Sequence, residues 1–438
     1  MKNLWENRDR LNYEKLGMDM QQFASILYPL CRSITGNGVR ETLKYIHNYI
    51  PLNIYEVASG TQVFDWTIPK EWNIREAYIK GPDGTDVVNY RNCNLHILNY
   101  SVPINKIVRL EELKKHLFTL PEHPEWIPYR TSYYKSEWGF CLKHNQLLQL
   151  QEGEYQIVID TSLEDGSMTY GEYYLKGEMN DEVLISTHIC HPSLANDNLS
   201  GISIATFLAQ ILSNRKLRYS YRFVFAPGTI GAIAWLARNR STTFRIKHGL
   251  VMTCLGDKGG YHYKKSRSGH AEIDRILTHV LRFCGESSEV MEFAPYGYDE
   301  RQYGSPAINL PVGCLTRSIG GGFPEYHTSA DNLDFILPTQ LARSLHLCIN
   351  ICGVIEGNQC YINLYPNCEP QLGRRNLYRS LDDKHADIDH DARLWVLNLS
   401  DGSHSLLDIA ERSGISFNYI YGAAKQLMKS ELLAIKDS

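Results

Sequence analysis

The stretch HICHPSLANDNLSG, which begins at His188, brings several metal-ligating side chains together. These are His188, Cys190, His191 and Asp197. Zinc prefers such nitrogen, thiolate and carboxylate ligands. The run VLIST at 183–187 precedes the stretch and predicts a buried strand. Since sites in parallel sheets form in the loops after the carboxyl ends of strands, this position predicts a metal site.

Two later loops carry side chains of the same kind. They are YDERQYG, with Asp299 and Glu300, and PEYHTSADNLD, with Glu325, Tyr326, His327 and Asp331. Two-metal hydrolases need such a supply, because a bridging carboxylate must hold two cations about 3.5–4 Å apart. We therefore predict that His188, Asp197 and His327 are metal ligands. His191 is the alternative ligand to His188.

These residues also have structural interpretations that the sequence leaves open. A histidine after a strand is more often a packing or surface residue than a ligand, and for His191 this interpretation is slightly favoured. Asp299 and Arg301 could form a structural ion pair. The NDNLSG turn could cap the next helix through Asn198 or Ser200. The metal interpretation is favoured for the set because three loops carry the same chemistry.

The composition is that of a globular protein without a strong charge bias. The chain has 438 residues, of which 43% are apolar and 21% charged, and its net charge is −4. This length predicts two or three domains, and the charge argues against nucleic acid or a membrane surface as the partner. Eleven scattered cysteines and a charged N-terminus predict reduced thiols and no signal peptide. We expect a soluble, cytoplasmic protein.

Residues after Tyr170 alternate between strand and helix patterns. This alternation predicts an α/β fold, with a mostly parallel mixed sheet and helices on both faces. The predicted strands are 183–187, 221–227, 249–255 and 307–315, and the predicted helices are 202–212, 230–237 and 271–283.

Changes in texture along the chain predict three regions. Residues 1–63 and 172–361 form the α/β domain. Residues 64–171, rich in Tyr, Trp and Pro, form a small β-rich inserted domain, with a short alternating run at 95–98. Residues 362–438 form a linker, which spans 363–389, and a winged-helix domain.

The motifs also carry a resemblance. HICHPSLANDNLSG resembles the zinc loop of metallopeptidases of the leucyl aminopeptidase and glutamate carboxypeptidase type, and YHTSADNLD resembles their Y-H-T-x-x-D segment. Together with RSITGNGVRETL and YDERQY, they resemble the bacterial aminopeptidase-like family with a small inserted domain and a C-terminal winged helix. This narrower resemblance covers nearly the whole chain.

The resemblance implies a role for each matching residue. His188 would bind one metal, His327 would bind a second, and Asp197 would bridge them. Tyr326 would stabilise the oxyanion, a charge that develops only in the transition state. The implied activity is that of a zinc-dependent hydrolase, with one or two zinc ions, that cleaves an N-terminal residue or a related amide of a small substrate.

The chain departs from the peptidase pattern at three positions. Cys190 stands where the H-x-D motif of these peptidases has the aspartate that orients the first histidine. Gly228 stands where these peptidases carry a pair of glutamates, the general base and a ligand, and Thr253 stands where they carry an aspartate ligand. No acidic residue occurs between Asp197 and Asp257. Three outcomes remain open. One zinc could remain, a base could come from Asp299, Glu300 or Glu325, or catalysis could be lost.

The alternatives in function follow from these departures. Besides the hydrolase, the chain could be a catalytically silent peptidase fold that serves binding and assembly. Arg301 and Arg317 are candidates to hold a substrate carboxylate or phosphate, although solvated or structural roles are equally expected of them. A DNA-binding regulator that acts through the winged helix is the weakest alternative.

The C-terminal module has little charge for binding DNA. Residues 391–438 carry five basic and six acidic side chains, and the predicted recognition helix at 417–427 contains one lysine. Contacts with phosphates dominate the affinity of proteins for DNA, and this surface has few basic side chains to make them. A role in protein contacts, within the chain or in a homo-oligomer, is therefore favoured.

Overall fold

The structure, a computed structural model, describes residues 11–375, 377 and 386–436. The helices are α1 Tyr13–Leu27, α2 Asn37–His47, α3 Leu110–Lys114, α4 His144–Leu148, α5 Gly201–Ser213, α6 Ile230–Asn239, α7 Glu272–Arg282, α8 Glu300–Tyr303, α9 Pro338–Gly357, α10 Ala386–Leu399, α11 Leu406–Ser413 and α12 Phe417–Lys429. The strands are β1 Asn53–Ala58, β2 Gln62–Val63, β3 Trp66–Thr67, β4 Glu71–Lys80, β5 Asp86–Asn89, β6 Ile104–Arg109, β7 Leu117–Phe118, β8 Phe140–Cys141, β9 Glu154–Glu164, β10 Ser167–Leu175, β11 Glu182–His188, β12 Ser220–Ala226, β13 Ile246–Met252, β14 Tyr261–Lys264, β15 Ser288–Met291, β16 Val312–Thr316, β17 Cys360–Asn363, β18 Asp401–Ser405 and β19 Leu433–Ile435.

An eight-stranded mixed sheet organises the chain, with the order β1-β10-β12-β11-β13-β16-β14-β15. Its centre, β12-β11-β13-β16, is parallel. Neighbouring residues of one strand enter different cores: Ile185 packs with α5, and Leu184 packs with α6. Helices therefore cover both faces, and the predicted α/β fold class is confirmed.

Between β1 and β10 lies a four-stranded antiparallel sheet, β5-β4-β9-β6, in a part of the chain that we call the inserted segment, residues 59–166. Its buried Trp72 and Ile157 share a core with α6. The alternating run at 95–98, which predicted a strand, does not form one. A short 3-10 turn, Asn94–His96, stands there because the His96 N–H donates to Cys93 O at 3.1 Å.

The strand predicted at 307–315 begins later than expected, at Val312. Asn309 has a φ of +48°, outside the strand region, and Pro311 has no N–H to donate to a sheet. The linker predicted at 363–389 is also shorter, because β17 reaches Asn363 and α10 begins at Ala386. Residues 376 and 378–385 of that stretch lie outside the described residues.

The winged helix consists of α10, α11, α12 and the sheet β18-β17-β19. Its apolar residues, Leu407 and Ile420 among them, belong to the same core as α5, α7 and α9. Phe417 N–H, at the start of α12, donates to His279 Nε2 on α7 at 3.0 Å. The winged helix is thus packed directly on the α/β part. Among the described residues, none of the helices has the length and apolar character needed to cross a bilayer.

An ion-pair cluster adds to this docking. The Arg275 guanidinium on α7 lies 2.5 Å from Asp408 Oδ1 and also pairs with Glu411, both on α11. Burial opposes ionisation of Asp408, but hydrogen bonds from Arg275 and Ser405 hold the pKa of Asp408 below its usual value. These side chains are about one third exposed, so solvent weakens the pairs.

We predict that Arg275→Ala lowers the free energy of unfolding at pH 7 by about 0.5–1 kcal/mol, as expected for partly exposed pairs. Because the folded-state pKa of Asp408 is depressed, this stabilisation exists above the unfolded pKa, about 3.9, and is lost as the pH falls below it. Urea unfolding at pH 7 and pH 3 measures the difference, which should shrink at pH 3.

Hydrogen exchange supplies the control. Exchange in α11 should rise in Arg275→Ala, but not in Arg75→Ala, which removes an exposed pair with Asp160 in the inserted segment. An equal effect of both variants on α11 would contradict the assigned role of Arg275.

Candidate metal centre

The NDN turn after β11 is held by its two asparagines. Asn196 Nδ2 donates to Asp257 Oδ2 at 2.6 Å, and Asn198 Nδ2 donates to Thr187 Oγ1 at 2.7 Å. These bonds tie the turn to the end of β11 and to the loop after β13, on either side of Asp197. The alternative that the turn is a helix cap is wrong, because no side chain caps α5, and the Ser200 hydroxyl donates to Asn196 O instead.

Gly201 allows this turn to pack closely. A Cβ at this position would lie 2.4 Å from Asn198 Oδ1 and 2.6 Å from Met252 O. Both distances are far below van der Waals contact, so only glycine fits. The last residue of the NDNLSG motif is therefore explained by sterics.

Three histidines surround the Asp197 carboxylate. His188 Nε2 lies 2.8 Å from Asp197 Oδ1, and His327 Nε2 lies 3.1 Å from Asp197 Oδ2. His191 Nδ1 lies 3.3 Å from Asp197 Oδ2 and 3.2 Å from His188 Nε2. Asp197 is fully buried, whereas the side chain of His327 is 34% exposed. The cluster therefore opens to solvent on the His327 side.

The protonation states suit metal binding. Burial by itself would raise the pKa of Asp197, but His191 and His188 hold that pKa well below its usual value. The pKa of His327 is lowered, chiefly by burial, with smaller contributions from the positive charges of His191 and Arg130, whereas Asp197 opposes the shift. A charged carboxylate and a neutral imidazole are the forms that bind a metal.

The donor set fits zinc. Ligand atoms of His188, His191 and Asp197 all lie within 4.8 Å of one another, and His327 contacts the same carboxylate. Imidazole nitrogens with one carboxylate oxygen are a usual zinc set. The structure thus brings together every residue that the sequence predicted as a ligand, the alternative His191 included.

Asp331 supports the Asp197 turn from behind. Its carboxylate accepts the N–H of Asn196 at 2.5 Å and the N–H of Asp197 at 2.9 Å. Burial raises the pKa of Asp331 to about 8, although these donors oppose the rise. The sequence signal for this role was the position of Asp331 in the Y-H-T-x-x-D segment.

The space beside Gly228 is occupied by Asp299. A Cβ at position 228 would lie 3.6 Å from Asp299 Oδ1 and 3.1 Å from His188 Cβ. Asp299 is buried, and neither carboxylate oxygen has a hydrogen-bond partner among the described residues. Burial, assisted by the charge of Glu300, raises the pKa of Asp299 to about 8. A carboxylate therefore reaches the place where the sequence lacks one.

Glu300 and Arg301 flank Asp299, and Glu300 differs from it in having a charged partner. The carboxylate of Glu300 forms an ion pair with Lys264. Arg301 affects Asp299 through its charge, but no ion pair joins the two, so the predicted structural pair is wrong. Arg301 Nε is itself buried without a hydrogen-bond partner among the described residues.

The other candidate residues lie at different distances from the cluster. The Tyr326 ring stacks on His327, with ring centres 4.0 Å apart. Glu325, on the same loop, lines an outer groove with Trp126 and Lys143.

Arg317 lies away from the histidines. It is fully buried, and its guanidinium donates to Glu286, Tyr261, Ser344 and Gly259 O. A substrate anion would have to displace these partners. Arg317 thus occupies a structural position.

Three residues around the cluster were not found from the sequence. The Tyr129 ring makes edge contacts with His191 and with His327, both with ring centres 5.2 Å apart. The Tyr298 ring stacks on His188 at 5.1 Å. Arg32 Nε donates to His191 O at 2.8 Å. Of these, Tyr129 comes from the inserted segment, where no motif marked it.

Comparisons with known proteins cover most of the chain. The model of the family described as Domain of unknown function (DUF4910) matches residues 21–358, and a winged helix-turn-helix family model matches residues 359–435. A Clostridium acetobutylicum protein is 51% identical over 425 residues, which cover 97% of this chain and 98% of that protein. Its name assigns it provisionally to polysaccharide biosynthesis and gives it an aminopeptidase-like domain.

Two solved structures extend the comparison. A Clostridium acetobutylicum protein provisionally assigned as a peptidase has a TM-score of 0.93 and 50% identity, over 97% of this chain and 98% of that chain. A zinc aminopeptidase from Bacillus subtilis has a TM-score of 0.57 and 12% identity, over 77% of this chain and 94% of that chain. The second likeness is one of fold.

We predict that Asp331→Asn weakens zinc binding by about 10–100-fold, as is usual when the support of a ligand is lost. An amide has one acceptor oxygen, so one of the N–H groups of Asn196 and Asp197 loses its partner. Titration against a chelating dye measures the affinity. Asp334→Asn, an exposed change on the same loop, is the control, and equal affinities of the two variants would refute the assigned support.

Proposed function

The chain belongs to the DUF4910 family of aminopeptidase-like proteins with a C-terminal winged helix, and from this premise we propose that it is a zinc-dependent hydrolase of the aminopeptidase type. The observation that carries the proposal is the buried Asp197 carboxylate in contact with three imidazoles. A surface interaction does not require such a group. The reaction is cleavage of an N-terminal residue or a related amide.

The residues favour one zinc ion. Asp197, His327 and either His188 or His191 would hold it, leaving a position open as catalytic sites require. Thr253, which stands where a second site would have its aspartate, is buried with its hydroxyl against Cys254 Sγ at 3.6 Å. When bound, zinc would polarise the scissile carbonyl and lower the pKa of water to about 7.

Asp299, in its ionised form, is the proposed proton acceptor. By standard bond lengths, a glutamate at 228 would place its carboxylate oxygens about 3–4 Å from its own Cβ. Asp299 Oδ1 lies 3.6 Å from that Cβ position. Asp299 therefore brings a carboxyl oxygen, from another loop, as close to this Cβ position as the oxygens of such a glutamate would be. The proton of the attacking water would pass to Asp299 and then to the leaving amine.

Tyr326 is the proposed donor to the oxyanion. Its ring is stacked on His327, which holds the side chain beside the cluster. Burial, together with the charge of Asp197, raises the pKa of Tyr326, so its hydroxyl keeps its proton. A preorganised donor of this kind acts where charge develops in the transition state.

The substrate class extends from peptides to other amides. The same chemistry would remove an acyl group from a sugar-linked amide, and the name of the Clostridium acetobutylicum relative supports including such compounds. Arg301 remains a candidate for a substrate anion, since its buried Nε has no hydrogen-bond partner among the described residues.

We propose that the winged helix serves protein contacts and not DNA binding. The N-terminal end of α12 is bonded to His279, and the module shares its apolar core with the α/β part. A helix fixed at this end is poorly placed to enter a groove of DNA. The balanced charge of the module points the same way.

The first test concerns the metal. Protein purified with zinc present should hold about one zinc per chain, and His327→Ala should lose most of it together with turnover of aminoacyl anilides. His404→Ala is a matched control. The side chain of His404 is 33% exposed and pairs with Asp401, and that of His327 is similarly 34% exposed and pairs with Asp197. Less than about 0.5 zinc per chain in the native protein would count heavily against the hydrolase.

The second test concerns the base. Asp299→Asn should keep its zinc but lose about 10²–10⁴-fold in kcat, the usual contribution of a general base. Adding Gly228→Glu to that variant should restore part of the loss, and Asp299→Glu should retain activity. Full activity of Asp299→Asn would refute the assignment of this residue.

A catalytically silent binding protein is the second candidate function. The glycine at 228 and the threonine at 253 favour it, because the pair of glutamates and the aspartate of the peptidase pattern are absent from these places. The two tests separate the candidates. Native protein that holds zinc but turns over no amide would support the binding function.

A further inference from the structure

We propose that Arg130 binds an anionic group of the substrate, a carboxylate or a phosphate, at the opening of the metal centre. The inference rests on the proposed function, because it gives the substrate of that site an anion close to the scissile amide. It also gives the inserted segment a role in recognition.

The backbone before Arg130 is paired with the loop of His327. Tyr129 N–H donates to His327 O at 2.7 Å, and Ser329 N–H donates to Ile127 O at 2.8 Å. On the other side, Asn99 N–H donates to Arg130 O at 2.9 Å. Bonds on both sides therefore fix the position of residue 130 relative to the cluster.

The neighbouring side chain confirms how close this segment comes to the cluster. The Tyr129 ring contacts both His191 and His327, the two histidines with solvent-exposed surface. Arg130, the next residue, is exposed. Its charge contributes to the lowered pKa of His327, so Arg130 lies near the exposed histidine of the cluster.

The guanidinium of Arg130 has no partner among the described residues. No hydrogen bond, ion pair or ring contact of this side chain occurs there, whereas the exposed Arg75 and Arg91 of the inserted segment pair with Asp160 and Glu76. An unpaired guanidinium offers a fork of donors that matches carboxylate or phosphate oxygens.

With a metal bound, the charge of the opening would favour an anion as well, although carboxylates lie nearby. The Asp197 carboxylate is buried among imidazoles, and Asp331 lies behind it. Glu325, on the same loop as His327, lines the outer groove. A bound dication would leave the centre positive, and Arg130 adds to that charge. The ligand expected is therefore an amide that carries a carboxylate or phosphate.

Matched anilides test the proposal. Leucyl anilides would carry a para carboxylate, carboxamide or phosphate ester, and kcat/KM would be measured for each. The native protein should prefer an anionic probe over the carboxamide by about tenfold, mainly through KM, as expected of a charge-assisted hydrogen bond. The preferred anion identifies the chemistry.

Substitutions then locate the effect. Arg130→Gln should bring the ratio of anionic to neutral probe close to one, and Arg130→Lys should give an intermediate ratio. Arg91→Gln removes an equal charge from the inserted segment and should retain the native ratio. Equal turnover of anionic and neutral probes by the native protein, or an unchanged ratio in Arg130→Gln, would overturn the proposal.

A binding measurement keeps this test separate from catalysis. If no anilide is hydrolysed, the hydrolase proposal fails, and calorimetry on the zinc-loaded protein compares 4-acetamidobenzoate and 4-acetamidophenyl phosphate with 4-acetamidobenzamide. If an anionic compound binds more tightly than the neutral one, and Arg130→Gln loses this difference, the result supports the anion site independently of catalysis. Absence of such a difference in the native protein refutes it.

Discussion

Asp197 is a fully buried carboxylate, and isolating such a charge from water costs several kcal/mol unless partners compensate it. Here the partners are imidazoles from two loops, and the backbone that carries Asp197 is held by Asp331 from behind. The asparagines on either side, together with Gly201, allow a turn that no regular helix or strand would provide. The local sequence is therefore explained by the need to hold one charge.

The parallel centre of the sheet makes this arrangement possible. Side chains of β11 alternate between two apolar cores, so the strand is fixed from both faces and its final residue, His188, starts the site. The loop of His327 approaches the same carboxylate, and its other side is paired with Ile127 and Tyr129. The site thus depends on the inserted segment as well as on the sheet.

Much of the fold and of the ligand cluster followed from sequence patterns. Hydrophobic alternation predicted the α/β class, and the chemistry of three loops predicted His188, Asp197 and His327 as neighbours. Asp299 was one of three candidate bases, but the sequence did not single it out, because its approach to Gly228 joins loops about 70 residues apart and depends on tertiary packing. Arg130 was invisible for a similar reason, since no motif marks a partnerless arginine. The strand expected at 95–98 does not form, because this run is buried throughout and local hydrogen bonds close it into a turn at 94–96.

The shared core of the α/β part and the winged helix has a consequence for how the chain behaves as a whole. Two family models meet at residues 358 and 359, yet the apolar residues on either side pack as one cluster. Cutting the chain there would expose apolar faces of α7 and α9 to water, and patches of that kind promote aggregation. Because they share this core, we expect the two matched parts to unfold together as a single cooperative unit.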